Sequence, residues 1–252
     1  MSHRGEIALV TGANKGIGRE IARRLAGEGM TVYLGARDRE LGLRAERELA
    51  RDGADVRFLR LDVTDQAQVD ATVQRIEGEV GRLDVLVNNA GIVVEWQIPL
   101  GEVTAEHLRR VYDVNVFGVV AVTQACIRLL RRSTAARVVN LSSPLGSLSL
   151  ITDEDSPISA RGLLAYSSSK TALNAITVLY ANALRADGIL VNAANPGLVA
   201  TDLNARSPFS RGTRTPEQGA EVPVKLALLG AGGPTGAFLG RDDGSIDEAV
   251  PW

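Results

Sequence analysis

The sequence has little of what disulfide-linked, metal-binding or nucleic-acid-binding proteins need. Its 252 residues include one cysteine, Cys126, and two histidines, His3 and His107. One cysteine forms no internal disulfide, and these three side chains are too few for a zinc site. Lys and Arg number 28 against 30 for Asp and Glu, which leaves no excess of positive charge for phosphate backbones or anionic lipids. We therefore expect no metal, no nucleic acid and no membrane among the partners.

Long uncharged apolar runs are also missing. No stretch approaches the roughly 18 residues of a membrane span, and the N-terminal residues enter a strand pattern without the apolar segment of a signal peptide. The expected compartment is the cytoplasm. No linker, low-complexity tract or solenoid-length repeat divides the chain, so we expect a single domain over residues 1–252.

Short apolar runs alternate with amphipathic segments along the chain. The apolar runs are rich in Val and Leu on both faces, which is typical of parallel strands covered by helices on each side. The pattern predicts an α/β fold with a doubly wound parallel sheet of about seven strands and helices on both faces. Predicted strands are 6–11, 31–36, 55–61, 83–88, 137–142, 189–195 and 237–239, and predicted helices are 17–28, 38–52, 65–81, 104–132 and 164–186.

Two stretches are irregular and directly follow predicted strands. They are residues 144–163 and 196–216. Ligands of open α/β sheets bind outside the carboxyl ends of the strands. We therefore interpret both stretches as candidate substrate loops.

A glycine-rich turn, TGANKGIG, joins the first predicted strand to the first predicted helix. Its glycines are Gly12, Gly16 and Gly18. Glycines at this place allow a tight turn and let main-chain N–H groups and the helix N-terminus approach a pyrophosphate. The isolated motif also permits a purely structural interpretation.

The glycine spacing resembles the TGxxxGxG motif of the short-chain dehydrogenase/reductase family. Further marks of that family follow in order: NNAG at 88–91, Asn115, the Ser142-Ser143 pair, YxxxK at 166–170, and Pro196-Gly197 with Thr201 beyond. The resemblance spans nearly the whole chain and implies a Rossmann fold. TGANKGIG, GARD and LDVLVNNAGI look most like the NADPH-dependent carbonyl reductase branch.

The resemblance implies a catalytic set of four residues. Ser143 is expected to hydrogen-bond the substrate oxygen, and Tyr166 to transfer the proton. Lys170 is expected to contact the nicotinamide ribose, and Asn115 to hold a water of the proton relay. The family places its serine second in such a pair, so we choose Ser143, while Ser142 fits a strand-end serine that satisfies its own turn.

The chemistry of Tyr166 and Lys170 gives a separate argument. A tyrosine with an ordinary pKa near 10 is a poor base, so an acid/base tyrosine needs a lower pKa. Four positions apart on a helix, the two side chains share one face, and we expect the lysine ammonium to lower the pKa of the phenol. Tyr166 then serves as acid and base. An arbitrary YxxxK is more often an exposed Tyr beside a solvated Lys.

Charge predicts the cofactor. NAD sites usually carry an acidic residue about 20 positions past the glycines, whereas this sequence has Ala36 followed by Arg37. Arg37 and Lys15 are two cations suited to a 2′-phosphate, so we predict NADP(H). Asp38 would repel the phosphate if it faced inward, and we expect it to cap the next helix instead.

The family contacts adenine where Asp62 and Val63 end the third strand, and the alternative for Asp62 is a helix cap. The complete predicted cofactor set is Gly12, Asn14, Lys15, Gly16, Ile17, Gly18, Arg37, Asp62, Val63, Asn89, Ala90, Gly91, Tyr166, Lys170, Pro196, Gly197, Val199 and Thr201.

The segments expected to contact substrate are 92–100, the irregular stretch 144–163 and 198–211, and they carry few charges. They offer Trp96, Leu145, Leu148, Leu198 and Phe209, each of which is also explained as an ordinary packing residue. The expected reaction is NADPH-dependent reduction of a small ketone, aldehyde or quinone. An NADP-linked alcohol dehydrogenase, an enone reductase and a catalytically silent NADP-binding sensor stay open as alternatives. A serine hydrolase is excluded because both histidines precede every plausible nucleophile.

One departure from the family concerns spacing. Tyr166 follows Ser143 by 23 positions, more than in many relatives, so 144–163 contains an inserted loop. Such a loop can shape the substrate pocket or cover the face that relatives use to form tetramers. On that ground we expect a monomer, with a homo-oligomer as the alternative.

Overall fold

Seven parallel strands form one sheet in the computed structural model, which describes residues 3–160, 162–208, 210–240 and 248–252. The order across the sheet is β3-β2-β1-β4-β5-β6-β7. This arrangement confirms the predicted doubly wound α/β fold. The strands are β1 Ile7–Thr11, β2 Thr31–Ala36, β3 Val56–Arg60, β4 Val85–Asn88, β5 Arg137–Leu141, β6 Leu190–Ala194 and β7 Phe238–Leu239.

The strand order reverses at β1. Its residue Ala8 pairs with Val32 of β2 on one side and with Val85 of β4 on the other. Chains leaving neighbouring strands at such a point diverge to opposite faces and open a crevice at the carboxyl ends. The crevice therefore lies next to the glycine turn that follows Thr11.

Helices cover both faces of the sheet because its strands are apolar on both sides. Ala8 and Val10 belong to a core under α1, α2 and α9, whereas Ile7 and Leu9 belong to a second core under α3, α5 and α7. The helices are α1 Gly16–Gly27, α2 Arg39–Arg51, α3 Gln66–Val80, α4 Ala105–Tyr112, α5 Gly118–Leu130, α6 Leu148–Thr152, α7 Leu164–Ala183, α8 Pro216–Gly219 and α9 Glu221–Ala227.

The helix predicted over 104–132 is interrupted. A π-helical turn, Asp113–Phe117, separates α4 from α5. The whole stretch Ala105–Leu130 is long and apolar enough to cross a membrane by length and composition. Half of its most apolar window is buried inside the fold, as in the core helix of a soluble protein, so it is weak support for a membrane span.

Three short helices are not predicted by the sequence pattern. They are α6 inside the inserted loop, and α8 and α9 after the second irregular stretch. The start of α8 has a recognisable signal, because Thr215 and Gln218 form a capping box around Pro216. At four residues, α8 is too short for a periodic pattern to show.

Hydrogen bonds to Trp252, the last residue of the sequence, hold the inserted loop in place. Ser149 of α6 donates from its backbone N–H and its hydroxyl to the carbonyl oxygen of Trp252, at 3.1 and 2.7 Å. The Trp252 ring stacks on Phe238 of β7 with 5.5 Å between centroids. The loop is thereby attached to the edge of the sheet.

Candidate active site

A groove of about 580 Å³ runs past the carboxyl ends of the strands, at the crevice beside β1. It brings together most of the predicted cofactor set. Gly197 and Val199, the two remaining members, line a smaller cavity that adjoins the groove. The predicted residues on the groove wall are Gly12, Asn14, Lys15, Gly16, Ile17, Gly18, Arg37, Asp62, Val63, Asn89, Ala90, Gly91, Tyr166, Lys170, Pro196 and Thr201.

The turn between β1 and α1 requires glycine at two positions. Gly12 has a φ of 63°, in the left-handed region that side chains disfavour. Gly18 lies in the first turn of α1, where a Cβ would fall 2.3 Å from Nδ2 of Asn89 and 2.7 Å from the carbonyl oxygen of Gly12. The backbone thus approaches closely, and the N-terminus of α1 faces the groove as a ready anion site.

Thr11 and Asn89 connect this glycine turn to the segment after β4. Asn89 Nδ2 donates to the carbonyl oxygens of Thr11 and Gly12, at 2.8 and 3.1 Å. Thr11 Oγ1 accepts the backbone N–H groups of Asn89 and Ala90, both at 3.0 Å. The NNAG motif therefore holds the glycine turn in place as well as lining the groove.

Arg37 and Lys15, the two cations predicted to bind the 2′-phosphate, both lie on the groove wall. Arg37 is exposed just after β2. Lys15 Nζ lies 2.7 Å from Oδ2 of Asp202, and both side chains are exposed. An exposed ion pair contributes little to stability. It links the glycine turn to the 196–216 stretch and leaves Lys15 able to exchange partners.

Two acidic residues near the groove serve local turns. Asp38 accepts the N–H of Leu41 at 2.9 Å and caps α2, as predicted. Asp62 Oδ1 accepts the N–H and hydroxyl of Thr64, at 3.0 and 2.7 Å. The cap of α3 is Asp65, so the alternative interpretation of Asp62 as a helix cap is wrong.

The Tyr166 phenol meets the Ser143 hydroxyl where the groove adjoins the smaller cavity. Both side chains line that cavity, where the nearby Ser143 hydroxyl acts to lower the pKa of the phenol. Ser142 instead donates to Oδ1 of Asn174 at 2.6 Å and is buried. The geometry therefore supports the choice of Ser143 over Ser142.

Burial sets the protonation of Tyr166 and Lys170. Loss of hydration raises the pKa of Tyr166 to about 12, against the lowering effect of the hydrogen bond with Ser143. It also lowers the pKa of Lys170 to about 8. The prediction that Lys170 lowers the pKa of Tyr166 is therefore wrong for the protein by itself, because burial dominates and raises the pKa of the phenol. At neutral pH the phenol is protonated, which is the state of a proton donor.

Lys170 nevertheless lies beside Tyr166, as the helical spacing predicts. Its Nζ is 5.6 Å from the centroid of the Tyr166 ring and donates to the carbonyl oxygen of Leu141 at 2.8 Å. This carbonyl ends β5, one residue before the serine pair. The strand end and α7 thus hold the lysine and the phenol on the same wall of the groove.

Asn115 lies fully buried in the π-helical turn. Its Oδ1 accepts the N–H of Ile92 at 2.9 Å, and its Nδ2 donates to the Ile92 carbonyl at 3.0 Å and to Ser169 Oγ at 3.1 Å. Ser169 immediately precedes Lys170. Asn115 therefore joins the segment after β4 to α7, and its part in holding a relay water stays a prediction. Such single π turns are frequent at functional sites.

Glu95 is a buried carboxylate that the sequence pattern does not reveal. Its oxygens accept the N–H groups of Ala165 and Tyr166, at 3.0 and 2.7 Å, and the residue is 1% exposed. The N-cap residue Leu163 has no side-chain hydrogen bond to α7, so the cap comes from 70 positions earlier in the chain. Helix caps are recognised in sequence at the residue before the helix, and this one has no such local signal.

The smaller cavity, of about 100 Å³, is mainly apolar. Trp96, Leu145 and Leu198 line it, one from each segment predicted to contact substrate. The indole N–H of Trp96 donates to the carbonyl oxygen of Leu203 at 2.7 Å. This contact joins the 92–100 segment to the 196–216 stretch at the cavity wall.

Leu148 and Phe209 are the other two residues predicted to contact substrate. Leu148 is 58% exposed on α6 and is not among the residues that line the cavity, so its assignment is wrong. Its place in a five-residue helix turns it to the surface. Phe209 lies outside the described residues.

Comparisons with known proteins agree with this geometry. The family model described as short chain dehydrogenase matches residues 6–210. Short-chain dehydrogenase/reductase 1 of Saponaria officinalis is 33% identical, covering 94% of each chain, and a (+)-neomenthol dehydrogenase of Arabidopsis thaliana is 33% identical over 93% of this chain and 95% of its own. The NADPH-bound carbonyl reductase from chicken fatty liver superposes with a TM-score of 0.83 at 28% identity, covering 99% of this chain and 100% of its own.

Proposed function

The chain belongs to the short chain dehydrogenase family, and on that premise we propose that it reduces a ketone, aldehyde or quinone to the alcohol with NADPH. The family makes it an oxidoreductase of carbonyl and alcohol groups, and its cofactor is NADP(H). One observation carries the proposal: a buried, protonated Tyr166 stands beside Ser143 and Lys170 where a long groove adjoins an apolar cavity.

The residues of the groove fit the dinucleotide. Gly12 and Gly18 keep the glycine turn free of side chains, so that main-chain N–H groups at the start of α1 can hold the pyrophosphate. Lys15 and Arg37 supply positive charge for the 2′-phosphate. When bound, NADPH supplies a hydride to the carbonyl carbon of the substrate.

Ser143, Tyr166 and Lys170 carry out the proton transfer to the substrate. The carbonyl oxygen accepts a hydrogen bond from Ser143 and the proton of the Tyr166 hydroxyl, which leaves an alcohol and a tyrosinate. Because the pKa of Tyr166 is about 12, the proton is present at neutral pH before the reaction begins. Lys170 is a nearby cation to stabilise the tyrosinate that forms.

A cofactor-specific assay tests the proposal. We expect NADPH absorbance to fall when the enzyme is mixed with menthone, cyclopentanone, 4-nitrobenzaldehyde or menadione, with at least one of them turned over. NADH should support a kcat/KM at least about tenfold lower, since a 2′-phosphate held by a charge-assisted contact is worth about 1.5–3 kcal/mol. Tight NADPH binding without any turnover would favour the silent sensor, and a preference for NADH would contradict the assignment of Lys15 and Arg37.

Reversing the charge at Arg37 tests the phosphate contact directly. In Arg37→Asp the NADPH Kd should rise by about 10- to 30-fold, because a charge-assisted pair to phosphate is replaced by repulsion. The NADH Kd should change by less than about twofold. Both constants are measured by titrating the fluorescence of the reduced cofactor.

The matched control is Arg110→Asp. Arg110 is exposed on α4 and does not line the groove, so this variant changes the net charge equally without touching the proposed site. Equal losses of NADPH affinity in the two variants would show a general effect of net charge. Equal losses for NADPH and NADH in Arg37→Asp would show that Arg37 does not contact the 2′-phosphate.

The monomeric state and the cytoplasmic location stay predictions of the sequence. The monomer rests on the inserted loop 144–163, which in the structure is attached to the edge of the sheet through Ser149 and Trp252.

A further inference from the structure

We propose that Glu95 is the positioning residue of Tyr166. The inference rests on the proposed function, in which the Tyr166 hydroxyl gives its proton to the substrate. It adds that the Glu95 carboxylate fixes where α7 begins, and so fixes the distance from the phenol to the carbonyl oxygen.

The contact acts on the backbone of Tyr166 itself. Counted from the N-cap Leu163, Ala165 and Tyr166 are the second and third residues of α7, whose N–H groups a helix cap normally satisfies. Glu95 binds one of them with each oxygen, at 3.0 and 2.7 Å. Both side-chain oxygens therefore accept, and a helix N-terminus favours a negatively charged group at this place.

The backbone N–H groups at the start of α7 balance the negative charge of the buried Glu95 carboxylate. Within residues 3–160, 162–208, 210–240 and 248–252, no salt bridge involves Glu95. At 1% exposure, the carboxylate depends on the two N–H groups in place of water. Because each Glu95 oxygen binds one particular N–H group, a shift of α7 along its axis would break these hydrogen bonds.

The segment that carries Glu95 also forms a wall of the substrate cavity. Val93 and Trp96 flank it and line the cavity, and the Glu95 carbonyl accepts the N–H of Ile98 at 3.0 Å, which holds the segment in a turn. One rigid piece of chain therefore contacts both the substrate space and the catalytic helix. A cap supplied by residue 163 would hold the helix start equally well but would not relate Tyr166 to this wall.

Glu95→Gln is the sharpest test because it keeps size and shape. The amide offers an oxygen to one N–H group but sets its own N–H₂ against the other. We expect kcat for the best carbonyl of the assay panel to fall about tenfold, since a misplacement of a full ångström costs about 10². The NADPH Kd should stay within about twofold of the parent.

A double-mutant cycle separates positioning from general support of the fold. If Glu95 acts through Tyr166, Glu95→Gln should lower the single-turnover rate of the parent enzyme and leave that of Tyr166→Phe unchanged. The control is Glu46→Gln, at a position far from the catalytic residues along the chain. The Glu46 carboxylate also accepts a backbone N–H, that of Phe58, at 2.7 Å. This control should lower thermal stability without lowering kcat.

The outcomes are distinguishable. An unchanged kcat in Glu95→Gln, or an equal fold-loss with and without the Tyr166 hydroxyl, would overturn the positioning role. Full activity of Tyr166→Phe by itself would remove the proposed function and the premise with it. If Glu95→Gln does not fold, Glu95→Asp takes its place in the cycle, since it keeps the charge on a shorter stem and should show the same dependence on Tyr166.

Discussion

Replacing Tyr166 by phenylalanine is expected to lower kcat for carbonyl reduction by about 10³-fold, within the 10²- to 10⁴-fold that a positioned general acid contributes. The substitution removes the phenol hydroxyl beside Ser143 and leaves a buried ring of nearly the same shape. The NADPH Kd should therefore change by less than about twofold. Single-turnover oxidation of NADPH with excess enzyme measures the residual rate.

Tyr180→Phe is the matched control for this variant. Tyr180 lies about four turns further along the same helix, α7, is partly buried, and has its hydroxyl near Gln124. Loss of that hydroxyl should leave kcat unchanged. If Tyr166→Phe kept the parent's kcat, or if Tyr180→Phe lost as much, the proton would have to come from another group and the assigned role of Tyr166 would be refuted.

Much of the fold is predictable because its determinants are local in the chain. The strands β1 and β2 are predicted to within a residue, since a run such as TVYLGA is apolar on both faces and ends at the charged pair Arg37-Asp38. The N-cap of α2 is predicted from Asp38 for the same reason. Parallel order then follows from the alternation of strands with helices.

The sequence predicts which residues form the candidate site but not the pKa values of their side chains. Gly12, Ser143 and Tyr166 belong to motifs whose spacing survives in the sequence, and the structure places them around the groove and cavity. The pKa of Tyr166 depends on how much water the folded protein removes, and no spacing reports that quantity. The prediction of a lowered pKa therefore failed in its direction.

Contacts between distant segments explain the other omissions. Glu95 is one acidic residue among many until the fold brings it against the start of α7. The ion pair between Lys15 and Asp202 is equally impossible to predict from the sequence, because the two residues lie 187 positions apart. Neither contact has a local signal in the sequence, and only the tertiary structure shows it.

The second large effect is expected from Gly18→Ala, which should weaken NADPH binding by about 100-fold. The added Cβ would lie 2.3 Å from Asn89 Nδ2 and 2.7 Å from the Gly12 carbonyl oxygen. Asn89 has little freedom to retreat, because its Nδ2 already bonds to Thr11 and Gly12. The glycine turn must therefore shift, at a cost of about 1–3 kcal/mol, and much of that cost should appear as lost affinity. Fluorescence titration of NADPH measures the change.

The control for this variant lies in the same helix. Gly27, at the exposed end of α1, has no atom within 4 Å of the place its Cβ would take. Gly27→Ala should therefore leave the NADPH Kd unchanged and alter stability by less than about 1 kcal/mol, because alanine favours helix over glycine. If Gly18→Ala bound NADPH as tightly as Gly27→Ala, the close approach of α1 to the segment after β4 would have no part in holding the dinucleotide.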